Sequence, residues 1–347
     1  MDLDVNAASP MDSGLFGLPH GPEEARVHVL GVPFEATTSF RPGTRRAPEA
    51  ILAASRQVDL FDLHFGRPYE QGIWIVPSDP QMGAWDREAR SLAAPIIERG
   101  GAAETDLEAV TRVDAIGDAV RQAVAAFTRE RLDQGRLPVI LGGDHSTPLG
   151  AIEACAERYP GMGVLQFDAH ADLNTPDTTP SGNPHGMPAA ALLGHPVAPL
   201  VDIVGSHGTF DPRRAVFLGG RDLDPGERAR VSTDPASALP LLIDGEAFKS
   251  ESANSIADRV LERIAPDGDA FALSFDLDVI DPKEAPGVNL PVPDGLHVEQ
   301  VMQVLERLAD HGGCIAMDVV ELDPTADDDG RTARIGVNAA RAMFQTD

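Results

Sequence analysis

Cysteine is almost missing from this 347-residue chain, which holds only Cys155 and Cys314. Two thiols make no disulfide framework, so a reducing cytoplasm is the expected compartment. Long apolar runs are missing too: none approaches the ~20 residues of a membrane span. The N-terminus lacks the basic-then-apolar layout of a secretory signal. Lysine is reduced to Lys249 and Lys283, leaving arginine to carry nearly all positive charge. Positive charge is itself scarce, with 28 Lys and Arg against 55 Asp and Glu, a formal net charge of −27. That balance argues against nucleic acid and membrane surfaces as partners and steers cationic ligands inward. A surface adapted to solubility or high salt is the plainer account of most of these acids.

What is present suits a soluble globular protein, with 42% apolar and 24% charged residues. Residues 1–24 are rich in Gly, Pro, Asp and Ser without periodicity, and are expected to form a flexible tail or an arm. Strands are expected at 26–32, 137–141, 163–167, 215–218, 241–243, 271–275 and 314–320. Helices are expected at 48–55, 107–132, 148–159, 255–264, 298–308 and 332–344, the second on the stripe Val110, Val113, Ile116, Val120, Val124 and Phe127. Between 69 and 108 the pattern blurs, which suggests an insertion or long connection. With no internal repeat and no splitting linker, residues 25–347 read as one α/β domain. Its mainly parallel sheet would be covered by helices on both faces. Sites in such folds form beyond the carboxyl ends of the strands.

That is where the informative residues fall. Gly163-Val164-Leu165-Gln166-Phe167 runs into Asp168, His170 and Asp172, spaced by two, which share a face while the chain stays extended. Unpaired buried acids repel and are costly to desolvate, and a divalent cation removes both problems. The rival reading is a solvated acidic loop with a stray histidine. Gly142-Gly143-Asp144-His145-Ser146 ends another strand and has no Gly-Lys-Ser/Thr continuation, so His145 as a ligand is favoured over a phosphate loop. Ser274-Phe275-Asp276-Leu277-Asp278 delivers two more acids. His145, Asp168, His170, Asp172, Asp276 and Asp278 are too many, and too oxygen-rich, for a closed structural zinc site, and suit two oxygen-preferring ions.

Together, Gly142–Ser146, Phe167-Asp168-Ala169-His170-Ala171-Asp172 and Ser274–Asp278 resemble the three metal signatures of the ureohydrolase family, that of arginase and agmatinase. The resemblance covers most of the chain from about Arg26 onward. It implies a three-layer α/β/α fold with an eight-stranded parallel sheet and two Mn2+ ions, though nickel and cobalt accept the same ligands. By position, one ion would take His145, Asp168, Asp172 and Asp276, the other His170, Asp168, Asp276 and Asp278. It also implies that His185, in His185-Gly186-Met187-Pro188, shuttles a proton, and that Glu321 holds the guanidinium group. Asp172 would accept a hydrogen bond during the reaction. The products would be urea and an amine.

The loop from Asp172 to Asn183 is similar to that of arginase, where the counterparts of Asn174, Ser181 and Asn183 bind the substrate α-carboxylate. Gly220-Arg221-Asp222-Leu223-Asp224 likewise implies that Asp224 receives the α-amino group. L-Arginine is therefore the expected substrate, with a cytoplasmic homo-oligomer, trimer or hexamer, implied by the family. Agmatine, another guanidino compound or formiminoglutamate stays open, as does a non-catalytic binding subunit. Leu290 departs from the family pattern by replacing a hydroxyl near the reacting end. Residues 31–43 look more like agmatinase-type members. His195, His207 and His311 match no ligand position. If His185 is the proton shuttle, His185→Ala lowers turnover roughly 10²–10⁴-fold with metal content unchanged and partial rescue by imidazole. Wild-type turnover in that variant would reduce His185 to a loop residue.

Overall fold

The structure, a computed structural model, describes residues 13–38, 40–57, 67–175, 177–179, 186–194 and 210–344. Eight parallel strands form one sheet in the order β2-β1-β3-β8-β7-β4-β5-β6. They are β1 (Val27–Gly31), β2 (Ile73–Ile75), β3 (Leu137–Leu141), β4 (Gly163–Phe167), β5 (Ala215–Leu218), β6 (Leu241–Ile243), β7 (Phe271–Asp276) and β8 (Cys314–Val320). The helices are α1 (Ala47–Ser55), α2 (Pro80–Glu98), α3 (Leu107–Asp133), α4 (Leu149–Arg158), α5 (Pro188–Leu192), α6 (Pro225–Arg228), α7 (Ala247–Ser250), α8 (Ala253–Ile264), α9 (Val298–His311) and α10 (Arg331–Ala342).

The central strands read as unbroken apolar runs because both faces are covered, as parallel sheets require. Strand pleating then sorts their side chains. Val139 and Leu141 of β3, with Leu273 and Phe275 of β7, join the core under α1, α8, α9 and α10. Ile140, pointing the other way, packs with Val113, Ile116, Val120 and Val124 of α3. The α3 stripe is thus buried as its period requires. Pro138, which has no N–H, sits where β8 has not yet joined, since that pairing starts at Val139. Local signals set the helix ends. Ser252 caps α8 by accepting from the Ser255 N–H at 3.2 Å, and Gly312 closes α9 at a left-handed φ of 72°.

Two segments differ from the sequence reading. The stretch at 69–108 carries the edge strand β2 and the 19-residue helix α2, beyond a plain connection. Its signal was faint because β2 has three residues and the α2 stripe is thin: Met82, Ala89 and Ala93, interrupted by Gly83 and Pro95. The second departure lies in residues 13–24, where Leu15, Phe16 and Leu18 are buried in the main core. The Phe16 N–H donates to Ser55 Oγ at 3.1 Å, and its ring meets Phe344 edge-on at 6.4 Å. A single 3-10 turn is too short to show periodicity, so its apolar anchors looked like tail. Phe16→Ala should cost about 3–5 kcal/mol of unfolding free energy, read as a lower denaturant midpoint at unchanged slope. A midpoint equal to wild type would mean that this segment only rests on the core.

Candidate metal centre

β3, β8, β7 and β4 are neighbours in the sheet, and the chemistry-bearing residues leave their carboxyl ends. After β3 the backbone turns through Gly142-Gly143. A Cβ on Gly143 would meet the Phe34 carbonyl oxygen at 1.9 Å, so only glycine allows this approach. His145 follows directly. Asp144 is not aimed at the cluster: it accepts from the Ser146 N–H at 3.1 Å, and burial pushes its carboxyl up to about 7.

β4 stops at Phe167, so extended alternation does not by itself align Asp168, His170 and Asp172. The chain bends after Asp168, and Asp172 takes a left-handed φ of 51°. Backbone N–H groups then aim the acids. Asp168 Oδ1 accepts from His170 at 2.6 Å, Asp278 Oδ1 from Ala169 at 2.9 Å, and Asp276 Oδ1 from Asp278 at 2.8 Å.

The result is a convergence of six side chains. His145 Nδ1 lies 3.1 Å from Asp168 Oδ2, 3.1 Å from Asp172 Oδ2 and 3.2 Å from Asp276 Oδ2. His170 Nδ1 lies 3.0 Å from Asp278 Oδ2 and 3.3 Å from Asp168 Oδ1. Two groups can each hold a cation, His145 with Asp168 and Asp276, and His170 with Asp168 and Asp278. Asp168 belongs to both and turns one oxygen to each imidazole.

The donor set fits metal ions on a specific observation. His145 Nε2 is 2.9 Å from Ser274 Oγ, which itself donates to Asp318 Oδ1 at 2.8 Å. With the Ser274 proton committed, Nε2–H is the donor and Nδ1 keeps a bare lone pair. That buried nitrogen faces three carboxylate oxygens without hydrogen-bond geometry to any of them, and Asp172 Oδ2 is equally unpartnered. Lone pairs crowded this way repel unless a cation sits among them. The same carboxylates make a field that favours positive charge at this point. Burial opposes charge on His145, but Asp168, Asp172 and Asp276 outweigh it and hold its pKa well above the ordinary value. Burial, then Asp278 and Asp168, drive Asp276 well above the carboxylate range.

The cluster floors a cavity of about 290 Å³, which Asn174, Asp224, Leu290 and Glu321 also line. Glu321 leaves β8 at a left-handed φ of 64°, and its Oε1 accepts from the His145 N–H at 2.8 Å. Burial, reinforced by Asp144, raises its carboxyl well above the usual range. Toward β5, Asp224 Oδ2 accepts from Asn174 Nδ2 at 2.9 Å. Ser181, Asn183 and His185 lie outside the described residues, as do His195 and His207. His311 packs its ring 5.9 Å from Phe271, far down the sheet at the start of β7. The sequence reading gave no role to three residues. Glu227 ties the two halves of the cavity wall, accepting from Asp224 N–H at 2.9 Å and Leu173 N–H at 3.2 Å, and burial pushes it up to about 7. Ser274 and Asp318 form the chain behind His145. The one sequence signal was an acid, Asp318, inside an apolar strand.

An all-parallel sheet with imidazoles and carboxylates gathered over its central strand ends defines a class: α/β proteins built to hold divalent cations at the carboxyl edge. The comparisons narrow the class. The profile of the Arginase family matches residues 25–345. Arginase of Bacillus caldovelox is 32% identical over 318 residues, covering 92% of this chain and 97% of its own. The crystal structure of arginase from Bacillus subtilis aligns at TM-score 0.71 and 27% identity, covering 93% of this chain and 99% of that one. The agmatine ureohydrolase of Thermoplasma volcanium, at 22% identity, shares the fold at TM-score 0.67, covering 94% and 91%. The chain belongs to the arginase family and is a ureohydrolase, a hydrolase of linear amidines.

If the Ser274–Asp318 chain sets the tautomer of His145, Ser274→Ala and Asp318→Asn should each weaken divalent-cation affinity about 10- to 100-fold. Titration calorimetry on the stripped protein reads this directly. Affinities equal to wild type in both variants would reduce the chain to a packing detail.

Proposed function

We propose that this ureohydrolase cleaves L-arginine to L-ornithine and urea. The observation that carries the reading is the distribution of polar groups along the cavity. Glu321 stands on the β8 side, and the Asn174–Asp224 pair stands beyond β4 and β5. Acids dominate the lining, and no Lys or Arg lines the cavity among the described residues. A cationic guanidinium at one end and an α-amino group at the other suit that field.

His145, Asp168, Asp172 and Asp276 would hold one ion and His170, Asp168, Asp276 and Asp278 the other, with manganese the first choice. Such a pair supplies Lewis-acid stabilisation and activates water at neutral pH. The chain's own residues do the rest. Glu321 receives the planar guanidinium and orients its carbon toward the cluster. Asp172 accepts a hydrogen bond from the attacking water. Asn174, with Ser181 and Asn183, reads the α-carboxylate, and Asp224 the α-amino group. The amine must leave protonated, and His185 delivers that proton from solvent. A cytoplasmic homo-oligomer, trimer or hexamer, completes the proposal.

L-Arginine should then be preferred to agmatine, which lacks the carboxylate. A hydrogen bond to a charged group is worth about 1.5–3 kcal/mol, so Asp224→Ala should lower kcat/KM for arginine roughly 10- to 150-fold. The loss should fall mainly on KM, because this contact persists from ground to transition state. Preference for agmatine, with Asp224→Ala indifferent, would overturn the arginine assignment.

A further inference from the structure

Two large apolar side chains stand exposed in this otherwise acidic cavity. Phe40 is 63% exposed and Leu290 is 42% exposed, and both line it. Scattered surface leucines need no explanation. Two apolar groups sharing one charged pocket do, because pocket linings are where such groups set specificity.

Their positions are built. The Arg41 N–H donates to Asn289 Oδ1 at 3.4 Å, and Arg41 Nη2 to the Val288 carbonyl at 3.3 Å. The Arg41 guanidinium packs 5.5 Å from the Phe40 ring centroid, and its charge is taken up by buried Asp323 at 3.2 Å. Arg41 therefore clamps the Phe40 segment onto the Leu290 segment. The second segment is tied to β8, through the Asn289 N–H to the Glu321 carbonyl at 3.3 Å and an antiparallel bridge from Val288 to Leu322. Phe40 and the Asn289 end of the Leu290 segment thus stand on the Glu321 side, while Asn174 and Asp224 follow β4 and β5. A substrate whose chain runs toward Asp224 turns its terminal guanidino nitrogens toward Phe40 and Leu290.

We infer that Phe40 and Leu290 form an apolar lip that favours guanidines carrying an alkyl group on a terminal nitrogen. The inference rests on guanidine hydrolysis with Glu321 as the guanidinium anchor. Water adds its oxygen to the guanidino carbon, and the bond from that carbon to the chain nitrogen breaks. The chain leaves as a protonated amine, and the alkyl group departs on an N-alkylurea. No oxidant or further reactant is needed.

The test compares arginine with its terminal N-propyl derivative, and butylguanidine with the matching terminal N-propyl compound. Release of ornithine or butylamine is followed in wild type, Phe40→Ala and Leu290→Ala. Calorimetric binding of propylguanidinium against guanidinium supplies a readout independent of turnover. Each buried methylene should favour the alkylated member about fourfold, in both pairs and in binding. Either variant should remove most of that gain. Leu107→Ala, at a residue 70% exposed but outside the cavity, should keep it. Unsubstituted members favoured throughout, or a gain that survives in both variants, would overturn the lip. The arginine assignment fails separately, when butylguanidine outruns arginine whatever its terminal nitrogen carries.

Discussion

Everything at the carboxyl edge of this sheet depends on one electrostatic constraint. Asp168, Asp172, Asp276 and Asp278 are buried together around two imidazoles. Desolvated carboxylates at such range repel strongly, and an all-protein solution would neutralise them by protonation. The fold instead spends backbone donors on them. One oxygen each of Asp168, Asp276 and Asp278 accepts from a main-chain N–H; the other oxygen of Asp276 and of Asp278 is aimed inward, and Asp168 turns one oxygen to each imidazole. Adjacent parallel strands make this economical, because β3, β8, β7 and β4 end side by side.

Holding that arrangement costs local strain. Asp172 and Glu321 both sit at positive φ, a region that side chains with a Cβ avoid. A main-chain hydrogen bond fixes each of them. The Asp172 carbonyl accepts from the Ala190 N–H at 3.1 Å, while the Glu321 N–H donates to the Gly143 carbonyl at 2.9 Å. Strain that the surroundings over-determine in this way belongs to functional sites. Here it reverses the chain so that the two carboxylates face the cavity.

The cavity mouth has a separate scaffold. Glu35, itself buried, accepts from the Gly43 N–H at 2.6 Å and the Arg45 N–H at 3.1 Å. Its own N–H donates to Asp86 on α2 at 2.8 Å. Burial raises the Asp86 carboxyl, against the opposing Glu35 N–H bond and the Arg45 guanidinium. The helix that looked like a connection in the sequence therefore supports the loop bearing Phe40 and Arg41. Mouth and metal cluster are joined where the Asp144 N–H meets the Phe34 carbonyl at 3.0 Å.

The sequence alone determined the α/β class, seven of the eight strands, and the three motifs that gather the cluster. It could do so because buried parallel strands are continuous apolar runs, and because acids following such runs have few reasons to be there. It did not reveal β2, α2 or the anchoring of Leu15, Phe16 and Leu18, whose patterns are too short or too thin to show a period. Tertiary structure alone decided how the candidate ligands converge, since a spacing of two suggests a shared face but the bend at 168–172 brings the oxygens together. It also decided that Ser274 and Asp318 stand behind His145, that Glu227 joins two loops, and that Phe40 and Leu290 line one cavity. Each of those pairings crosses tens to hundreds of residues, and only strand order and register bring such distant positions within reach.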